Sequence, residues 1–247
     1  MYDPRFIRTN FSPGRLAPCF CGSGSKFKAC CGKFCDDRDP PHGVEIIRSF
    51  LSPEKCRDWT EYCAGQPGEA LDVYTLDQKN QDLGLAQSRS SNRVTDRVSM
   101  AGRRQEMDDL IAGALTGEVS KRLDRRFSWF EKPQLLKYST GGYFKKHADA
   151  EFRIPGSVDW VKNVDRDISI LLYLNDDFEG GALLFNHFNY YYRPRAGDLV
   201  FFPSDHRYEH EARPLKSGVR YVVVSWAAFE GELRSQETQM PGNISLN

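Results

Sequence analysis

The sequence has no long hydrophobic run: nothing in its 247 residues approaches the ~20 consecutive apolar residues that carry a helix across a bilayer. It also lacks an excess of charge of either sign. Thirty-four basic residues stand against 34 acidic ones, with a pI near 6.9, which excludes a global field for nucleic acid or an anionic membrane. The opening stretch, residues 1–15, has no apolar segment of the kind a secretory signal carries, so a soluble, cytoplasmic protein is expected. No internal repeat and no low-complexity tract is visible. Histidine is scarce, with five in all. In a reducing compartment the seven cysteines are expected to be metal ligands or small buried hydrophobes rather than disulfides. The length allows one large domain, or a medium domain with a small satellite.

Five of the cysteines fall between Cys19 and Cys35, after which residues 36–43 form a charged, proline-broken stretch that does not favour a helix. The expected organisation is a cysteine module over 1–35, a linker over 36–43, a main domain over 44–230 and a polar tail over 231–247. At the start of the main domain, residues 44–50 read as a strand. Ser52 as N-cap and Pro53 in the first turn then open a helix through Cys63. Cys56, Trp59 and Cys63 share one face of it and read as core. Met107, Leu110, Ile111, Ala114, Leu115, Val119 and Leu123 recur at helical spacing and predict a second helix over about 104–125. From Gln134 onward the texture changes to short β-type runs at 134–138, 168–174, 182–186, 190–193, 198–202 and 220–226. Two helices followed by such strands imply an α+β, mainly β fold, a double-sheet jelly roll or small barrel buttressed by helices on one side. The polar stretch 76–97 lacks helical periodicity and reads equally as a mobile substrate lid or a plain surface loop.

Cys19 and Cys21 lie one residue apart and Cys30 and Cys31 are adjacent, with Gly22, Gly24 and Gly32 for tight turns. Zinc prefers tetrahedral sulfur ligation, and so short a segment has no core of its own, so the metal would supply its folding free energy. Free or disulfide-bonded cysteines are the alternative. The pattern C-x-C, eight residues, C-C, with its internal Gly-Ser-Gly and Lys-Phe-Lys, resembles the SEC-C zinc motif, which implies Zn(II) on these four cysteines; Cys35 is left over. Residues 1–33 carry six basic side chains against one acidic, so a modest positive patch survives a zinc bound by four thiolates. Similarity to the tail of the preprotein translocase ATPase, which engages acidic partner surfaces and ribosomes, implies a docking module, with a translation component as the partner. A structural knob capping the main domain is the other reading.

His147 and Asp149 are two residues apart. Such a pair alone is a solvated loop in most proteins, so a third ligand decides its meaning. His42 lies in the linker, His187 at a strand end, and His206 and His210 in the stretch 203–214. Only for His210 does the residue ten positions later, the basic Arg220, open an apolar strand. On a β-scaffold His147 and Asp149 point to one face because strand side chains alternate, and His210 can complete that face from a neighbouring strand. Two imidazoles and a carboxylate on one face of iron leave three positions open. A guanidinium buried beside them needs an anionic partner, and a dicarboxylate cosubstrate fits.

Tyr138, Gly141, His147 and Asp149, with the runs 166–175, 180–185, 194–204 and 210–226, resemble the prolyl 4-hydroxylase-like branch of the 2-oxoglutarate/Fe(II)-dependent dioxygenases, over about residues 44–229. The resemblance implies a double-stranded β-helix (jelly roll, cupin-like) core, with Fe(II), 2-oxoglutarate and O2 as cofactor and cosubstrates and ascorbate as a reductant. It implies His147, Asp149 and His210 as iron ligands and Arg220 as the salt bridge to the cosubstrate. Tyr173 would be a hydroxyl donor to the same carboxylate, and Tyr138 would line its pocket. Arg166 and Trp226 match positions near the bound substrate; their ordinary readings are a solvated strand end and a core tryptophan. Collagen-type relatives usually anchor with lysine and carry Gly-Gly-Glu-Thr where this chain has Gly180-Gly181-Ala182-Leu183, which weakens a collagen-like substrate. Related halogenases put Gly or Ala where Asp149 stands, so the carboxylate points to hydroxylation. The implied reaction is hydroxylation of a protein side chain, peptidyl proline first, with release of succinate and CO2. The same chemistry on another residue type, a free amino acid or a metabolite stays open, as does a non-catalytic metal-binding adaptor.

Overall fold

Ser52 sits in extended backbone with its hydroxyl accepting from the Lys55 amide, and Pro53 follows in the first turn. The helix Pro53–Ala64 therefore starts where its cap dictates. Its buried face is Cys56, Trp59 and Cys63. The second helical stretch is interrupted, which corrects the single helix expected over 104–125. Arg104–Ala114 passes into a wider turn at Leu115–Val119, where Gly117 leaves helical backbone angles, and resumes as Ser120–Leu123. Leu115 and Val119 remain fully buried across the break. The apolar spacing therefore survives the bulge and hides it, while Gly117 supplies the backbone freedom.

The computed structural model describes residues 2–33, 39–71, 92–235 and 242–246, and the backbone alone of 73–76 and 85–88. Within the stretch read as lid or loop, 77–84 and 89–91 lie outside the described residues, as do Cys35 and residues 36–38 of the linker. Among the described residues no helix is long and apolar enough to cross a membrane.

The β half is a jelly roll of two facing antiparallel sheets. The larger runs Glu45–Ile47, Leu199–Pro203, Ile168–Tyr173, Arg220–Phe229, Gln134–Tyr138, Asp96–Val98 and Gly68–Ala70, with Phe127–Glu131 also paired to the long strand. The smaller runs Tyr190–Tyr192, Leu183–Phe185, His210–Ala212, Tyr143–His147 and Arg93–Val94. Period-two alternation divides the larger sheet between two cores. Leu135, Leu172, Phe201 and Val223 pack against Trp59, Met107, Ile111 and Val119 of the helices, whereas Leu136, Tyr173, Phe202 and Val222 face Leu183, Phe185 and Tyr190 of the smaller sheet. The helices close one side, so the space between the sheets is where a site can open.

The N-terminal residues pack onto this domain. Ile7–Arg8 pairs with Trp160–Lys162, which pairs in turn with Glu151–Arg153. Trp160 stacks on His206 with centroids 5.3 Å apart, and a His206 ring nitrogen lies 3.0 Å from the Thr9 carbonyl. Phe20 stacks on Phe188 at 5.6 Å, and Cys19, Phe27 and Cys31 join the same core as Phe188 and Tyr208. The cysteine module thus shares apolar core with the jelly roll.

Candidate active site

His147 ends the strand Tyr143–His147 and His210 begins His210–Ala212; the two are directly opposite in the ladder, with ring centroids 4.4 Å apart. Asp149 lies beyond the strand end, in the bend that follows. Strand alternation is therefore not what turns it toward the histidines, which corrects that part of the sequence reading. The bend is held from outside: Arg166 donates to the Asp149 carbonyl at 3.1 Å, and the Ala150 amide donates to the Ser204 carbonyl at 2.9 Å. Asp149 Oδ1 is 3.4 Å from His147 Nε2 and Oδ2 is 3.7 Å from His210 Nε2. One ligand atom from each of the three lies within 4.8 Å of the others.

Each imidazole is oriented by its other nitrogen. His147 Nδ1 is 2.7 Å from the Lys145 carbonyl and His210 Nδ1 is 3.0 Å from the Tyr208 carbonyl. A carbonyl only accepts, so Nδ1 carries the proton and Nε2 presents a lone pair, the arrangement that suits a metal ligand. Burial and the neighbouring His147 push His210 down to about 4. Burial pushes Asp149 up, but His210, His147 and the Ser169 hydroxyl outweigh it and hold the carboxyl well below its usual range. Ser169 donates to Asp149 Oδ2 at 2.6 Å, leaving Oδ1 on the His147 side. A neutral imidazole beside an ionised carboxylate is the donor state that a divalent cation requires.

These residues line a narrow cleft, partly open to solvent, together with Tyr138, Phe144, Tyr173, Arg220 and Trp226. Arg220 is 2% exposed, donates through Nη1 to the Gly181 carbonyl, and lies 4.1 Å from the Tyr138 ring centroid; its Nε–H has no partner. No carboxylate among the described residues pairs with it. Gly181 is at φ +62°, and a Cβ there would sit 2.7 Å from Leu215 and 3.1 Å from the guanidinium. Glycine is what lets the cation fit. Burial pushes the Tyr173 phenol up, so it stays a hydrogen-bond donor. A buried, unmatched guanidinium a few side chains from a His-Asp-His cluster fits a dianionic chelator with one end at each.

Trp226 lies farther along the strand that begins with Arg220. Arg166 stacks on it at 3.7 Å, but its charge is matched by Glu131, Nη2 to Oε2 at 2.7 Å. Sequence reading missed Ser169, Glu131, Phe144 and Arg93. Phe144 stacks on His147 at 3.6 Å, and its place three residues before that histidine was the available signal.

In the N-terminal module, Cys21 Sγ is 3.4 Å from Cys19 Sγ and 3.5 Å from Cys30 Sγ, and all four sulfurs, Cys31 included, lie within 4.8 Å of one another. Four sulfurs about a zinc at ~2.3 Å would be roughly 3.8 Å apart. The Ser23 hydroxyl and amide push Cys21 down to about 6, while burial pushes Cys31 up to about 12. Four such sulfurs fit a zinc that displaces the thiol protons as it binds, the buried Cys31 being the most costly to deprotonate.

Residues 133–228 match the 2OG-Fe(II) oxygenase superfamily and residues 17–33 the SEC-C motif. A PKHD-type hydroxylase of Parvibaculum lavamentivorans is 28% identical over 177 residues, 70% of this chain and 71% of that protein. The viral collagen prolyl hydroxylase of Paramecium bursaria Chlorella virus-1, solved as its 2OG complex, superposes with a TM-score of 0.53 at 20% identity, covering 75% of this chain and 96% of that one. A prolyl hydroxylase of Trichoplax adhaerens, in complex with a hypoxia inducible factor oxygen degradation domain peptide fragment, superposes at 0.52 with 21% identity, covering 80% and 88%. At these identities the structural likeness is one of fold. Some relatives are far longer, and the chain spans 10 to 24% of their length.

Proposed function

We propose that this chain, a dioxygenase that carries a 2OG-Fe(II) oxygenase domain and a SEC-C motif, hydroxylates a side chain of a protein or peptide substrate, peptidyl proline first. The observation that carries the reading is the pairing, in one cleft, of the His147–Asp149–His210 cluster with the buried, unmatched Arg220. With Fe(II) bound, the site couples decarboxylation of 2-oxoglutarate to succinate and CO2 with transfer of one oxygen atom of O2 into a substrate C–H bond. His147 and His210 through Nε2, and Asp149 through its carboxylate, would hold the iron; Ser169 and the two backbone carbonyls keep those donors aimed. Arg220 receives the distal carboxylate with the Tyr173 hydroxyl beside it, and Leu183 and Val222 keep water from that end. Trp226, braced by Arg166, offers a flat face to the substrate. The two prolyl hydroxylases of like fold, one of them bound to a peptide, support a peptide substrate.

The four-cysteine module takes a structural zinc. Its Arg15, Lys26, Lys28 and Lys33 are exposed and would meet an acidic partner, a translation component among the candidates, in the cytoplasm. The test incubates Fe(II)-loaded protein with 2-oxoglutarate, ascorbate and peptides from a cell extract, and maps +16 Da sites by mass spectrometry. Sites on proline, absent in His147→Ala, support the reading. Sites confined to another residue type would move it to that residue, and 2-oxoglutarate turnover unaffected by His147→Ala would overturn it.

A further inference from the structure

The cleft contains a second cation that neither the metal nor the cosubstrate accounts for. Arg93 lies on the edge strand Arg93–Val94 of the smaller sheet, directly opposite Phe144 in the ladder. Its guanidinium is 4.6 Å from the Phe144 ring centroid, and that ring stacks on His147 at 3.6 Å. The Arg93 Nε–H is buried without a hydrogen-bond partner, no carboxylate among the described residues pairs with it, and the side chain lines the same cleft as the three candidate ligands.

Charge matching separates it from the other arginines. Glu131 neutralises Arg166. Fe(II), Asp149, the two carboxylates of 2-oxoglutarate and Arg220 balance among themselves. Among the described residues that line the cleft, Arg93 is then the unmatched positive charge, one aromatic ring away from His147, and a donor whose Nε–H is buried favours an anionic group on whatever is bound last.

Building on the hydroxylase reading, we propose that Arg93 is a specificity-determining residue that receives a carboxylate of the substrate, so that the enzyme selects targets carrying an acidic group close to the carbon it hydroxylates. The carboxylate can be an Asp or Glu side chain flanking the target residue or the α-carboxylate of a free amino acid. The two sources differ in what reaches the cleft.

The test offers the Fe(II)-loaded full chain a digested cell lysate and, separately, a panel of free amino acids. Modified products are mapped for wild type, Arg93→Gln, Arg93→Lys and Arg93→Glu. A charge-assisted hydrogen bond of ordinary strength predicts that preference for Asp or Glu near modified sites falls roughly tenfold to a hundredfold in Arg93→Gln. Arg93→Lys should rescue part of it and Arg93→Glu should turn it toward basic neighbours. The same dependence seen only with free amino acids assigns the α-carboxylate instead. An acidic bias around residues other than proline would sink the prolyl reading and leave Arg93 standing. Modified sites with no charge bias in wild type, or a rise in the 2-oxoglutarate KM of Arg93→Gln as large as that of Arg220→Gln, would overturn the proposal.

Discussion

Arg220→Met separates the stability effect of a buried cation from its binding effect. The guanidinium is 2% exposed, donates among the described residues only to the Gly181 carbonyl, and lies over the Tyr138 ring. Without cosubstrate it is a desolvated charge lacking a counter-ion, a state that costs several kcal/mol. Methionine keeps much of the volume while removing that charge. Against the gain stand the Gly181 carbonyl left without a donor, about 1–3 kcal/mol, and the lost ring contact, about 2 kcal/mol at most. The terms are of similar size, so the cosubstrate-free Tm is expected to be unchanged or higher, by about 2–4 °C for each net kcal/mol in a chain of this length. With 2-oxoglutarate the sign reverses. Removing the partner of a buried carboxylate typically costs about 2–5 kcal/mol, roughly 30-fold to several-thousand-fold in Kd. Thermal unfolding of metal-loaded protein with and without the cosubstrate reads both effects, because a ligand that binds only the folded state raises Tm in proportion to RT ln(1 + [L]/Kd). A variant that unfolds far below wild type, yet gains as much from 2-oxoglutarate, would refute the reasoning: Arg220 would then be a structural strut and the cosubstrate anchored elsewhere.

Three further outcomes are expected. Ser169→Ala removes the hydroxyl that donates to Asp149 at 2.6 Å and should weaken Fe(II) binding about 10- to 100-fold, as for other outer partners of metal ligands; metal titration that matches wild type would count against it. The metal-free protein should lose stability as pH falls from about 6.5 toward 4. Burial pushes His210 from its ordinary 6.5 down to about 4, so the unfolded chain binds more protons across that window; a denaturation midpoint flat between pH 7 and 4.5 would contradict the assignment. Cys30→Ser should release one zinc per chain and lower the single unfolding transition of the whole protein, since Cys19, Phe27 and Cys31 share core with Phe188 and Tyr208. Separate transitions for module and domain would show that the shared core contributes little.

The parts legible in the sequence are those fixed by local pattern. Strands such as Ile168–Tyr173 and Arg220–Phe229 are nearly continuous apolar runs because both their faces are covered, and Ser52-Pro53 marks a helix start by chemistry alone. His147, Asp149, His210 and Arg220 were found as a set because each belongs to a motif with its own spacing, and the structure brings them to one cleft. What escaped depends on distant partners. Glu151–Arg153 and Trp160–Lys162 are three-residue strands with no readable alternation; they pair with each other, and Trp160–Lys162 pairs also with Ile7–Arg8. The seating of the cysteine module rests on contacts such as Thr9 with His206, which spacing cannot reveal. Arg93 was hidden for a similar reason: it sits in a polar stretch, and only its pairing with Phe144 sets it beside the ring that stacks on His147.

The most direct measurement of the central claim is the fate of labelled dioxygen. Fe(II)-loaded protein, 2-oxoglutarate and a peptide that proves to be modified are incubated under 18O2, and both products are weighed. The account predicts one 18O in the hydroxylated side chain and one in succinate, in equal amounts, with neither formed by His210→Ala. Succinate without labelled peptide at any peptide concentration, or a peptide whose new oxygen comes from water, would contradict it.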